Sequence, residues 1–283
     1  MSLRQHIQQR LSRHMEEGEA RATTHLLFEN LFGLSTTDLL MGKDETLSTG
    51  QQAYLNACVD RICEGEPVQY VLGQTVFCGL DLKVAPGVLI PRPETEELVR
   101  LVASDHEWLQ KLRILDIGTG SGCIALALKQ LLPNAQVTGW DISNEAMAIA
   151  RENATRTGLD VMFEQQDILQ MAKADSLYEA CFDIIVSNPP YVCHSEASQM
   201  ERNVIDHEPH TALFVPDDDP LLFYRAIAAF ATQSLKPGGH LYFEINRQFP
   251  NEVSELLKTS GFTDIHASDD QFGNPRFVSA ERT

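Results

Sequence analysis

The segment of this chain best equipped for chemistry is Asn188-Pro189-Pro190-Tyr191. It follows Phe182-Asp183-Ile184-Ile185-Val186-Ser187, an apolar, β-branched run that reads as a buried strand. Two prolines remove two N–H donors and stiffen the loop. Fixed acceptors remain: the Asn188 side-chain oxygen and the Pro189 carbonyl. Each could take one N–H of a planar NH2 group, with the Tyr191 ring stacked on its plane. An amide nitrogen is a poor nucleophile because its lone pair is delocalised. Holding both hydrogens orients that lone pair and stabilises the positive charge that develops on nitrogen as it attacks.

A second segment, Ile114-Leu115-Asp116-Ile117-Gly118-Thr119-Gly120-Ser121-Gly122-Cys123, reads as a strand, a glycine turn and a helix start. Such glycines let backbone N–H groups approach a ligand closely. A dinucleotide fingerprint would be G-x-G-x-x-G. Here the third glycine, Gly122, falls one residue early and Cys123 takes its place. The pattern instead resembles the first motif of S-adenosylmethionine-dependent methyltransferases. Gly118, Thr119, Gly120, Ser121 and Gly122 are thus candidate cofactor contacts, and Asp116 could reach the methionine ammonium directly or through water. Asp141 follows a strand, Val137–Trp140, where an acidic residue would bond ribose hydroxyls. Asp167 and Ile168 follow the strand containing Met162 and Phe163, where they could hold an adenine edge and face. Each carboxylate alone reads as a loop cap or a solvated charge; together, at successive strand ends, they point to an adenosine ligand. Asn188 belongs to both sets, catalytic and cofactor-binding. Methyl transfer from a sulfonium is an in-line displacement, so the nucleophile must point at the methyl carbon. The sulfonium supplies the electrophile, so no covalent intermediate is needed and no nucleophile elbow is found.

These groups need a scaffold that brings strand ends together. From about residue 94 onward strands and helices alternate. The strands are expected at Arg113–Ile117, Val137–Trp140, Phe182–Val186, Leu241–Ile245, Ile265–Ala267 and Arg276–Ser279, and the helices at Cys123–Leu131, Leu221–Leu235 and Val253–Thr259, with one more that Ser143 could cap, running to about Arg156. That alternation predicts an α/β fold, a mainly parallel Rossmann-like sheet with helices on both faces. Residues 1–72 read as a small helical domain with no chemical constellation. Ser48-Thr49-Gly50-Gln51 has capping-box spacing, and Leu26, Leu27, Leu31 and Leu34 fit an amphipathic helix. Residues 73–91, with Gly79 and loose alternation, read as a hairpin linker, and residues 92–283 as the catalytic domain.

Composition narrows the partners. Net charge is −18, from 22 basic and 40 acidic residues of 283, which gives the whole surface the wrong sign for a phosphate backbone. A protein or small-molecule substrate is expected and no direct nucleic-acid contact. No apolar run approaches the roughly 20 residues that span a bilayer, and the N-terminus has no signal-peptide stretch, so a cytoplasmic location away from membranes is expected. The six cysteines form no C-x-x-C pair and read as free thiols; no metal site is expected. His207-Glu208-Pro209-His210 reads as a structural loop because Pro209 interrupts a continuous helix. Glu94 and Glu96 could touch the substrate or the linker, and Asp217 to Asp219 reads as a solvated turn. Nothing suggests an obligate dimer, and a monomer is expected.

Further segments narrow the resemblance. Pro67–Gly73, Val88-Leu89-Ile90-Pro91-Arg92-Pro93-Glu94-Thr95-Glu96, Gly118–Leu126, Ser187–Val192 and Phe243-Glu244-Ile245 resemble the peptide chain release factor N5-glutamine methyltransferase family, over nearly the whole chain. The resemblance implies a helical N-terminal domain, a hairpin linker and a class I methyltransferase domain. It implies S-adenosylmethionine as cofactor and the glutamine of the Gly-Gly-Gln motif of release factors as target. By position, Gly118 to Gly122, Asp141 and Ile168 would contact the cofactor, and Asn188, Pro189, Pro190 and Tyr191 would hold the glutamine. Gln166, Val215–Pro220 and Asn246 depart from the family pattern in loops. Two other readings stand beside this one: adenine N6 methylation of DNA, since adenine also presents a planar NH2, and a non-catalytic adenosine-binding scaffold.

Overall fold

The computed structural model describes residues 1–106, 111–172 and 178–283. They form two compact units, Met1–Gln74 with Glu201–His207, and Thr75–Met200 with Glu208–Thr283.

The first unit holds α1 (Leu3–Leu11), α2 (Glu17–Phe32), α3 (Thr36–Leu40), α4 (Thr49–Cys63) and α5 (Val68–Leu72). Ser48 caps α4 in a complete capping box with Gln51, as its spacing requires. The leucine stripe expected at 26–34 is only partly right. The buried face of α2 is Ala20, Thr23, Thr24, Leu27 and Phe28, and Leu26 lies on the exposed side. Thr24 fits this core because its hydroxyl has a backbone partner, the Ala20 carbonyl at 2.7 Å.

The second unit opens on the expected hairpin, whose strands β1 (Gln74–Phe77) and β2 (Leu80–Lys83) meet at Cys78 and Gly79, both left-handed. It is more than a linker, since Phe77 and Leu82 are buried in the core of this unit. Next come α6 (Pro93–His106), β3 (Arg113–Ile117), α7 (Cys123–Leu131), β4 (Gln136–Asp141), α8 (Asn144–Thr157), β5 (Met162–Gln165), α9 (Ile168–Met171) and β6 (Phe182–Ser187). A short pair, β7 (Val192–Cys193) and β8 (Phe214–Val215), brackets α10 (Arg202–His207) and α11 (His210–Leu213). The chain closes with α12 (Leu222–Ser234), β9 (Leu235–Glu244), α13 (Pro250–Thr259), β10 (Phe262–Asp269) and β11 (Pro275–Arg282).

Seven strands make one sheet in the order β10-β11-β9-β6-β3-β4-β5. β5, β4, β3, β6 and β9 run parallel; β11 is antiparallel to both its neighbours. One face is covered by α6, α7 and α8 through residues such as Val99, Leu126 and Met147. The other is covered by α12 and α13 through Tyr224, Ile227, Phe230 and Leu257. Strands buried on both faces read as continuous apolar runs, which is why β3 and β6 stand out in the sequence. The last two strands are longer than expected because β10, at the sheet edge, carries mostly exposed polar residues. α12 ends at Ser234, just before Lys236-Pro237-Gly238-Gly239, and these residues lie in the first part of β9, where the pairing with β6 shifts register.

Candidate active site at the carboxyl ends of β3, β4 and β6

The chain leaves β3 toward β4 and β5 on one side, then returns to place β6 on the other. The reversal opens a crevice outside the carboxyl ends of β3 and β6, where open α/β sheets bind ligands. Register sets what lines it. Ile117 pairs with Trp140 and with Ser187, and Ser187 with Phe243. One step beyond that row lie Gly118, Asp141, Asn188 and Glu244. Ser187 Oγ ties the two central strands together by donating to the Ile117 carbonyl at 2.6 Å.

An open cleft of about 890 Å³, counted to its mouth, lies here. Its floor is formed by Gly118, Gly120, Asp141, Ile142, Gln166 and Ile168. Ser187, Asn188, Pro189 and Pro190 also line the cleft, as do Val88, Leu89, Pro209, Ala212 and Phe223. Gly118 has a φ of +77°, and a Cβ there would stand 3.8 Å from the Asn188 carbonyl oxygen. The glycine turn and the Asn-Pro-Pro loop are therefore neighbours.

Asp141 is fixed by two backbone donors, Gly120 N–H and Ser143 N–H, each at 2.9 Å and each to a different carboxylate oxygen. Both oxygens keep a lone pair for further donors. Burial raises its pKa against these backbone bonds. Asp116 lies deeper than the other candidate cofactor contacts. It is fully buried beneath the turn, where Oδ2 accepts from Thr119 Oγ1 at 2.6 Å, and it does not line the cleft. Burial pushes its carboxyl up to about 7. Thr119, Ser121 and Gly122 are likewise absent from the lining and hold the turn from behind. Asn153 Nδ2 donates to the Ser121 carbonyl at 2.9 Å, and a Cβ on Gly122 would come within 3.0 Å of the Phe163 ring. Asp167 caps α9 by accepting from Leu169 N at 2.9 Å; its neighbours Gln166 and Ile168 face the cleft instead.

Asn188 is half-buried and its amide has a defined orientation. Nδ2 donates to Thr95 Oγ1 at 3.1 Å, and Thr95 Oγ1 donates to Glu244 Oε2 at 2.7 Å. The other Glu244 oxygen accepts from the Tyr191 hydroxyl at 3.1 Å. Tyr191 therefore anchors the loop from behind and, unlike Pro189 and Pro190, does not line the cleft. Burial raises the pKa of Tyr191, and Glu244 raises it further. Glu208 is also buried, accepting from Ile90 N at 3.0 Å and from Arg92. It joins two cleft-wall segments, which gives the 207–210 loop its structural role. Glu96 accepts from Cys78 N in the hairpin at 2.8 Å, and Asp217 from Ser195 N at 2.9 Å. Sequence reasoning assigned no role to Thr95, Glu244 or Glu208. Thr95 and Glu244 are 149 residues apart, and only the sheet register and the first turn of α6 bring them together. Among the described residues no cluster of histidine, cysteine and acidic side chains could hold a metal, and all six cysteines are free.

The sheet order and this crevice define a Rossmann-like methyltransferase domain, and the family model described as a methyltransferase domain matches residues 109–269. A second model, the PrmC N-terminal domain, matches residues 2–73. The release factor glutamine methyltransferase of Bacteroides thetaiotaomicron is 46% identical over 93% of both chains. That of Flavobacterium psychrophilum is 42% identical over 95% of this chain and 94% of its own. The chain belongs to the release factor glutamine methyltransferase family. The fold is shared more widely. A Thermus thermophilus 16S rRNA N2 G1207 methyltransferase superposes with a TM-score of 0.54 at 19% identity, over 74% of this chain and 50% of that one. A Pyrococcus furiosus methyltransferase gives 0.52 at 20% identity, over 72% and 89%.

Proposed function

We propose that this protein transfers a methyl group from S-adenosylmethionine to the side-chain amide nitrogen, N5, of the glutamine in the Gly-Gly-Gln motif of peptide chain release factors. The observation that carries the reading is the Asn188 amide. Its NH2 is engaged by Thr95 while the residue lines the cleft beside the glycine turn, so Oδ1 is left to accept. An acceptor there suits an NH2 substrate and does nothing for a hydroxyl-free apolar one.

The donor set fits the cofactor. Asp141 presents two pre-oriented carboxylate oxygens suited to a pair of ribose hydroxyls, and Ile142 and Ile168 offer apolar surface to a base. Gly118 and Gly120 leave the turn without side chains where the amino-acid end would lie. Bound there, S-adenosylmethionine supplies an electrophilic methyl carbon. Asn188 Oδ1 and the Pro189 carbonyl each accept one amide N–H, fixing the nitrogen in the cleft. These dipoles stabilise the positive charge that develops on it, and the N–H acidifies as the bond forms, so no strong base is required beforehand. Pro190 keeps the loop rigid, and Tyr191 holds its far end. Asp116, Thr119, Ser121, Gly122 and Asp167 act indirectly, by shaping the turn and α9.

Residues 1–72 would serve substrate recognition, with residues 73–91 between them and the catalytic part. A monomer acting in the cytoplasm on a protein, with no direct nucleic-acid contact, agrees with the acidic surface; no described helix is long and apolar enough to cross a membrane. Methylation of DNA adenine and a purely scaffolding role are both disfavoured by the relatives' names. The test is labelled S-adenosylmethionine with a purified release factor, followed by mass mapping. Label confined to the Gly-Gly-Gln glutamine is the expected result; label elsewhere, or none, would sink the reading.

A further inference from the structure

We propose that Thr95 and Glu244 are positioning residues that fix which face of the Asn188 amide meets the substrate, through a directed hydrogen-bond relay. The inference rests on the function proposed above and names the groups that make its key acceptor an acceptor.

Oxygen and nitrogen of a carboxamide have nearly the same shape, so packing alone does not choose between its two orientations. The choice is made by proton counting. Thr95 has one hydroxyl proton. Its oxygen lies 2.7 Å from Glu244 Oε2 and 3.1 Å from the Asn188 amide. The Thr95 hydroxyl donates to Glu244 Oε2, which commits its single proton to that carboxylate. The Thr95 oxygen can then only accept, and Asn188 must turn its NH2 toward it. Asn188 Oδ1 is thereby delivered to the other side as an acceptor. The opposite proton order would have Thr95 donate to Oδ1 and turn the NH2 outward, against the substrate's own N–H groups.

The carboxylate is itself held as an acceptor. Its second oxygen takes the Tyr191 hydroxyl at 3.1 Å, and the positive charge of Arg276, itself paired with Asp270, favours the charged forms of Tyr191 and Glu244. Glu244 is 2% exposed and Thr95 equally buried, so water does not compete for these bonds. Burial raises the Glu244 carboxyl, while Thr95, Arg276 and Tyr191 act against that. One buried carboxylate thus holds the Tyr191 end of the loop directly and the Asn188 end through Thr95. The sheet builds this in: Ser187 pairs with Phe243, so Asn188 and Glu244 are the next residues on adjacent strands.

The test uses the full chain with Thr95→Val, which keeps shape and loses the hydroxyl, and Thr95→Ser, which keeps the hydroxyl. Thr95→Val should lower kcat for release-factor methylation at least about tenfold, while KM and the cofactor Kd shift less than about threefold. Thr95→Ser should stay within about threefold of the parent in all three. A second readout is independent of substrate: hydrogen exchange of the 15N-labelled Asn188 side-chain NH2, assigned with Asn188→Ala. Protection in the parent and in Thr95→Ser, lost in Thr95→Val, supports the relay even if the parent fails to methylate a release factor, which would overturn only the proposed function. An unprotected Asn188 NH2 in the parent overturns the relay. So does an unchanged kcat in Thr95→Val, or an equal loss in both variants.

Discussion

Asn188 and Asp141 stand one step beyond the same row of paired residues, yet they are asked to do different things, and their kinetics should separate. Asp141 is pinned by two backbone N–H groups in the cleft floor, a geometry that serves ground-state binding. Asn188 acts on charge that appears only as the nitrogen attacks. Asn188→Ala should therefore lower kcat by about 10²-fold or more with cofactor affinity nearly unchanged, whereas Asp141→Ala should chiefly weaken cofactor binding in calorimetry. Equal losses in both parameters for Asn188→Ala would contradict its assignment. Asp116 gives a different signature. Burial holds its folded pKa near 7, above the ordinary 3.8. Between those values the folded state binds a proton that the unfolded chain has released. Its contribution to stability is thus complete below about pH 4 and is lost as pH rises through about 7, by at most about 4 kcal/mol. Asp116→Asn removes this titration. Without cofactor, its stability relative to the parent should climb from pH 4 to pH 8 in denaturant melts; a constant difference would show that Asp116 is not held neutral.

At the scale of elements, the glycine turn depends on a strand beside it. Gly139 lies within β4, and a Cβ there would come within 2.7 Å of both the Phe163 ring and Thr119 Oγ1. Both neighbours matter: Thr119 bonds Asp116 beneath the turn, and Phe163 packs against Gly122. Gly139→Ala should therefore cost about 1–3 kcal/mol in stability, as overpacking does, and should also weaken cofactor binding by disturbing Gly118 to Gly120. Normal affinity in a destabilised variant would show that the turn does not rest on β4. Elements of this kind are only partly legible in the sequence. The buried central strands, α7 with its bounds, and the Ser48 and Ser143 caps follow from local rules that act within a few residues. The face of α2 does not, because a buried polar residue such as Thr24 satisfies its hydroxyl on the helix itself. Asp116 and Asp167 stand at strand ends, where a carboxylate can serve a ligand, a cap or a buried turn anchor, and the sequence does not say that Asp116 also bonds Thr119 or that Asp167 also caps α9. Thr95 and Glu244 lie in segments that carry the family resemblance, but nothing local says that the two side chains meet.

For the whole molecule, the decisive quantity is the charge of −18. Net repulsion from the excess of 40 acidic over 22 basic side chains opposes the compact state, and salt shortens its reach from about 30 Å at 10 mM to about 8 Å at 150 mM. The same salt also weakens attractive pairs, so the sign of its effect is a contest. The exposed pairs, such as Lys83–Glu152 and Lys258–Glu255, are worth about 0–1 kcal/mol each and lose only part of that. The buried contacts of Glu208 and Glu244 are shielded from ions by the protein around them. Salt therefore removes more long-range repulsion than attraction, and stability should rise with it. A gain of about 1 kcal/mol corresponds to roughly 2–4 °C for a chain near this size. Melting curves in sodium chloride at pH 7.5, from 10 to 150 mM, should show Tm climbing by about that amount. A flat or falling Tm would mean that the acidic residues are locally compensated, and the surface would then no longer argue for a protein substrate over a nucleic acid.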